Sequence, residues 1–192
     1  MGNKSNKKAK SELNKEQFYL KNEYKIIILG GSKIGKTSLI NRLEGKEFKE
    51  KTEATEAFLP ISIEINLNPS KKISFQFIDS SAKEYPITIV KIFMKDVDGI
   101  VLWYDITRRE TFEEVKNRWY PMVKDISDCN LIYLMSIKAD LYMNEQVKRR
   151  EGVEYAKSAK LKFFEISSKT DRGIEEFIED LKNNLLIPPE NP

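Results

Sequence analysis

The stretch from Tyr24 to Leu43, YKIIILGGSKIGKTSLINRL, constrains the chain more than any other. Ile26, Ile27, Ile28 and Leu29 form an apolar run rich in β-branched residues, which predicts a buried parallel strand. A glycine-bearing turn comes next, then an amphipathic run at helical spacing. Gly30, Gly35, Lys36 and Thr37 fit the spacing G-x-x-x-x-G-K-[ST], a loop that closes on phosphate between a strand and a helix. The glycines let the backbone bend so that N–H groups converge on an anion. A helix opening at Gly35 adds its positive dipole end. Lys36 is placed to reach the β and γ phosphates of a nucleotide, and the Thr37 hydroxyl suits Mg²⁺. The candidate phosphate-binding set is Gly30, Ser32, Lys33, Ile34, Gly35, Lys36, Thr37 and Ser38.

With 192 residues, the chain is long enough for one domain with a sizeable core. Its net charge of +3 is unevenly spread. Residues 1–25 hold seven lysines against three glutamates, and the rest carries 26 basic against 27 acidic residues. The basic character therefore belongs to an N-terminal arm and not to a nucleic-acid-binding face, so no nucleic-acid partner is expected. The absence of histidine excludes histidine-based catalysis and histidine metal sites. A single cysteine, Cys129, rules out an internal disulfide, fits a reducing compartment and is read as structural. No apolar run is long enough to span a bilayer, and no secretory signal is present.

Residues 1–23 read as a polar, lysine-rich arm with a short helix near Lys15–Leu20. The charged stretch Glu44–Ala57 reads as a loop. Ile61, Ile63, Ile65 and Leu67 alternate with polar residues, Asn68-Pro69-Ser70 turns the chain, and Ile73, Phe75 and Phe77 alternate again, predicting a β-hairpin that ends at Asp79. A short helix is predicted near Ile87–Lys95, a strand over Ile100–Tyr104, and a helix capped by Thr111 and kinked at Pro121. Then come a strand over Leu131–Met135, a helix over Val147–Ala159, a strand at Phe163–Ile166 and a last helix through Leu185, stopped by Pro188-Pro189. Strands alternating with helices predict an α/β fold whose sheet is mostly parallel with one antiparallel strand. Trp103, Tyr104 and Trp119 are expected in the core.

Two further segments make the phosphate loop specific. FIDSSAKEYPITIVKIFMKDVDGIVLWYDIT, Phe77–Thr107, resembles the switch II region and fourth strand of Ras-superfamily small GTPases, above all Rab proteins. FFEISSKTDRGIEEFIEDL, Phe163–Leu181, resembles the base-binding loop and final helix of the same family. The resemblance runs from about Tyr24 to Leu186. It implies a P-loop NTPase of the small GTPase fold, with a six-stranded sheet, an antiparallel edge strand and helices on both faces. Residues 24–187 would form the G domain, between an arm at 1–23 and a short tail at 188–192.

The resemblance also assigns roles, unevenly. Thr55, eighteen residues after Thr37, has the spacing of the switch I threonine that binds Mg²⁺ and senses the γ-phosphate. Asp79 matches the aspartate that holds the metal through water, so Thr37, Thr55 and Asp79 form the implied metal set. The family's T-A-G-Q is here Ser80, Ser81, Ala82 and Lys83. Ala82 keeps the N–H that meets the γ-phosphate but resists positive φ. Lys83 replaces the glutamine that orients the attacking water, and a protonated lysine accepts no hydrogen bond. The guanine motif N-K-x-D appears as Ile137-Lys138-Ala139-Asp140, with Asp140 to accept from the guanine edge and Lys138 to lie along the base. Ser167, Ser168 and Lys169 resemble the S-A-K loop in which the serine braces that aspartate.

Three functions compete. The first is a guanine-nucleotide switch using GTP/GDP and Mg²⁺, with switch I at about Glu47–Pro60 and switch II at about Asp79–Lys91 presented to an effector protein, a role in membrane traffic, and slow or absent hydrolysis. The second is a GTPase-fold subunit of a larger assembly, holding nucleotide statically or not at all. The third, an adenine-nucleotide enzyme, is weak. A cytoplasmic location is expected, peripheral on a membrane or within an intracellular assembly. The start MGNKSN offers Gly2 for myristoylation with Asn6 where serine or threonine is preferred, and Lys4, Lys7, Lys8 and Lys10 as an electrostatic signal for membrane contact. A solvated or protein-docking arm is the alternative. The end IPPENP offers no cysteine for prenylation.

Overall fold

The computed structural model describes residues 21–31, 34–50, 61–68, 71–81 and 87–186. Six strands form one sheet in the order β2-β3-β1-β4-β5-β6: β1 Glu23–Gly30, β2 Ile61–Asn68, β3 Lys71–Ser81, β4 Gly99–Asp105, β5 Ile132–Ile137 and β6 Lys162–Ile166. All neighbours pair parallel except β2 with β3, the expected hairpin, which leaves β2 as an antiparallel edge.

Strands β1 and β4 are apolar almost throughout because helices cover both faces of the sheet. On one face, Ile26, Ile28, Phe75, Trp103 and Tyr133 pack beneath Leu39 of α1 (Lys36–Leu43) and Phe177, Leu181 and Leu185 of α6 (Ile174–Leu186). On the other face lie α2 (Ile87–Phe93), α3 (Arg109–Glu114), α4 (Tyr120–Ile126) and α5 (Arg149–Ala159). There Ile27, Leu29, Leu102 and Tyr104 meet Val90, Phe112, Trp119, Val123 and Ala156. Trp103, Tyr104 and Trp119 are core residues, as expected.

Three local features differ from the sequence reading. Thr111 does not cap its helix. Arg108 holds the N-cap position, and the Thr111 hydroxyl donates to the Arg108 carbonyl at 2.8 Å while accepting the Asp105 N–H at 2.9 Å. The kink expected at Pro121 takes the form of a π-helical turn, Val115–Trp119, between α3 and α4. Pro121 has no N–H for the carbonyl four residues back. The Tyr120 N–H reaches the Val115 carbonyl, and Pro121 stands in the first turn of α4, where proline is tolerated. Helix α5 starts at Arg149, two residues later than expected, because Val147 donates its N–H to the Ile106 carbonyl at 3.1 Å.

The sheet order positions the site. After β3 the chain crosses β1 to reach β4, so the segments leaving β1 and β4 diverge at the carboxyl edge of the sheet. Ligands of open α/β sheets bind at such an edge. Gly30 ends β1 level with Ser81 of β3 and Trp103 of β4, while Asp105, Ile137 and Ile166 end β4, β5 and β6 on one line.

Candidate nucleotide-binding site

The phosphate loop leaves β1 under tight constraint. A Cβ on Gly30 would stand 2.7 Å from the Trp103 carbonyl oxygen and 2.9 Å from Ile34 Cδ1. Only glycine lets the chain pass here without displacing the neighbouring strand. Gly35 has φ 98°, a left-handed conformation that glycine adopts without strain, and it is the N-cap of α1. The Leu39 N–H closes on the Gly35 carbonyl at 3.1 Å. Ile34 is buried beneath the loop and anchors it to the core. Lys36 is the first residue of α1, with Thr37 and Ser38 half-buried after it. A helix N-terminus following a glycine turn is the geometry that receives phosphate.

The base loop is assembled from the ends of β5 and β6. Asp140 follows β5 in a 3₁₀ turn, Ala139–Asn144, and Ser167 follows β6 directly. The Ser167 hydroxyl donates to Asp140 Oδ1 at 2.7 Å and accepts the Thr170 N–H at 3.2 Å. Ser167 is fully buried, so this bond is sheltered from water and fixes the Asp140 carboxylate, whose second oxygen can accept from a base edge. Ser168 is half-buried and Lys169 exposed. Ile137 is 4% exposed and shares its core cluster with Ile34, Trp103 and Ile166. Lys138 takes a left-handed backbone (φ 61°) and its ammonium lies 2.7 Å from Asp105 Oδ2. Burial alone would push the Asp105 carboxyl up, but hydrogen bonds from Lys138 and Thr107 outweigh it and hold the group below its ordinary value.

Sequence reasoning missed how the loop after α1 meets the base loop. Arg42 pairs with both carboxylate oxygens of Asp171 and donates to the Lys46 carbonyl at 2.9 Å. Lys169 lies 3.6 Å from Glu50. Between Lys46 and Glu50 in the sequence comes Phe48, a half-buried aromatic in an otherwise charged run, EGKEFKEK. A half-buried apolar ring in a charged loop is the sequence signal that could have marked a packed segment here.

Thr55, Ala82 and Lys83 lie outside the described residues, as do Ser32 and Lys33, the N-terminal arm through Leu20 and the Pro188-Pro189 stop. The backbone of Asp79 is placed on β3 level with Ile28 of β1, at the same sheet edge as the phosphate loop. The described residues fit a nucleoside phosphate: a glycine cradle with no room for a Cβ at Gly30, a helix N-terminus, and the half-buried Thr37 hydroxyl in its first turn, an oxygen of the kind a hard cation such as Mg²⁺ takes. Among the described residues, no helix is long and apolar enough to cross a membrane.

The comparisons with known proteins agree with this geometry. The chain is 32% identical over 164 residues to Ras-related protein Rab-2B of Dictyostelium discoideum, covering 85% of this chain and 80% of that protein. It is 31% identical over 165 residues to Ras-related protein Rab-11C of the same organism, covering 84% and 72%. It is 28% identical over 163 residues to Ras-related protein Rab-21 of Homo sapiens, covering 85% and 72%. The model of the Ras family matches residues 25–187. With that match and its Rab relatives, the chain belongs to the Ras family of small GTPases and is Rab-like.

Proposed function

We propose that this chain is a guanine-nucleotide switch that binds GTP and GDP with Mg²⁺ and turns GTP over slowly or not at all. The observation that carries the reading is the bond from buried Ser167 to Asp140 at 2.7 Å, across a turn adjoining the phosphate loop. A carboxylate fixed there can accept from two neighbouring N–H groups on guanine, whereas adenine presents an acceptor at its ring nitrogen. Lys36 and the loop N–H groups would hold phosphate. Thr37, Thr55 and Asp79 would hold Mg²⁺, which neutralises charge on the β and γ phosphates. Thr55 and Ala82 would sense the γ-phosphate and order switch I (about Glu47–Pro60) and switch II (about Asp79–Lys91) against an effector protein. Lys83 cannot orient water as glutamine does, which supports slow hydrolysis. A role in membrane traffic, with the protein peripheral on a membrane, follows from the Rab likeness.

A second reading, a GTPase-fold subunit of a larger assembly with static or no nucleotide, is favoured by one observation. Ile137 is sealed in apolar packing where the family carries asparagine. The nucleotide released when purified native protein is denatured separates the readings. GDP supports a cycling switch, GTP a static occupant, and no nucleotide a bare scaffold.

A further inference from the structure

We infer that Asp105 is a positioning residue of the base pocket, holding Lys138 and, through it, the turn that carries Asp140. The inference rests on the guanine-binding reading above. Asp105 ends β4 with its side chain fully buried, and both carboxylate oxygens are occupied. Oδ1 accepts the Thr107 N–H at 2.9 Å and the Thr107 hydroxyl at 2.7 Å. Oδ2 faces Arg108 Nε at 3.1 Å and Lys138 Nζ at 2.7 Å. A buried charge with this many donors has little freedom, because any displacement leaves it unpaired in a low dielectric.

Lys138 needs such a restraint. Its φ of 61° and ψ of 38° are uncommon for a residue with a Cβ and persist where the surroundings over-determine them. Two contacts do so here. The Leu141 N–H closes on the Lys138 carbonyl at 2.8 Å, and the Lys138 ammonium is held by the neighbouring strand. The left-handed step turns the chain off β5, buries Ala139 and leaves Asp140 on the Ser167 side. The base loop is thus clamped twice, by Asp105 from β4 and by Ser167 from β6. Asp105 further ties this clamp to α3 through Arg108 and through its N–H bond to Thr111.

The test uses full-length protein and the release of a fluorescent GDP derivative, with GDP and IDP as competitors. IDP lacks the amino group that Asp140 would accept from. Asp105→Asn keeps the size and an acceptor for Thr107 but removes the charge. Release is expected to quicken by roughly 10–100-fold, the range for a lost charged hydrogen bond, and the preference for GDP over IDP is expected to shrink. In a Lys138→Met background the same substitution should change release by less than about twofold, since the group it acts through is gone. An unchanged GDP/IDP preference, or an equal loss in the Lys138→Met background, would overturn the inference. Should Asp105→Asn not fold, the native GDP-bound protein still decides. NMR is expected to show the Lys138 ammonium protected from exchange and coupled to the Asp105 carboxylate, and a freely exchanging ammonium overturns the inference. A native protein with no preference for GDP over ADP overturns the base reading itself, in a separate measurement.

Discussion

The Ile137 side chain reaches the phosphate loop at Gly35, with Cδ1 3.8 Å from where a Cβ on that glycine would stand. The base loop and the phosphate loop therefore lie side by side, with an isoleucine at the position where the family resemblance places an asparagine.

Ile137→Asn should separate folding from binding. The isoleucine is 4% exposed among Ile34, Trp103 and Ile166, so an amide there loses apolar burial worth about 2–4 kcal/mol. The nucleotide-free variant should melt several degrees lower than the native protein. An asparagine can also bond to the base and to the loop carbonyls, so GDP should bind more tightly, by roughly 5–150-fold. Thermal melts and GDP titrations on the two proteins check both signs. A variant weaker in GDP binding would mean that the apolar packing of Ile137 serves the site better than the amide.

Gly152→Ala should destabilise the fold without touching the site. A Cβ at Gly152 would stand 2.2 Å from the Tyr104 hydroxyl and 2.8 Å from Phe163 Cε2, both in the core between α5 and the sheet. Two aromatic rings must shift, at a cost of about 1–3 kcal/mol. Denaturant melts should show the lower midpoint, while the relative affinity for GDP and ADP stays the same.

Much of this was legible in the chain because it is local. The run Ile26–Leu29, the glycine spacing through Thr37 and the alternation at Ile61–Phe77 each report a period or a turn, and each appears where expected. Asp140 and Ser167 are matched through the family resemblance of their two motifs, and their bond is present. What could not be read depends on sheet register. Asp105 and Lys138 are 33 residues apart, and only the pairing of Asp105 with Ile137 brings them together. Arg42 and Asp171 are joined in the same way by tertiary packing, with no periodic trace in either segment. Thr111 misled because its hydroxyl has a better use, bridging Asp105 and Arg108, than capping a helix end.

Acid stability should depend on Asp105. Its carboxyl is held below the ordinary value in the folded protein, so the unfolded chain binds the proton more readily. The stabilisation is fully present above the unfolded value of about 3.9. It is lost as pH falls through the lower, folded value. Denaturant midpoints measured from neutral pH downward should fall below pH 4 by more in the native protein than in Asp105→Asn. Parallel curves would show that the Lys138 and Thr107 bonds do not perturb the group.

Intrinsic GTP hydrolysis should be very slow or absent, because Lys83 donates hydrogen bonds only and cannot accept one from the attacking water. Single-turnover assays on GTP-loaded protein should show Lys83→Gln faster than native, and Ala82→Gly with Lys83→Gln faster again. A native rate matching an ordinary Rab without a partner would mean that another residue positions the water.

If Asp140, braced by Ser167, makes this a guanine site, equilibrium competition between GDP and ADP in the presence of Mg²⁺ will read that selectivity. The native protein should prefer GDP by well over tenfold, and Asp140→Ala should abolish the preference while ADP affinity stays within a few-fold. Equal affinity of the native protein for the two nucleotides would mean that Asp140 does not read the base.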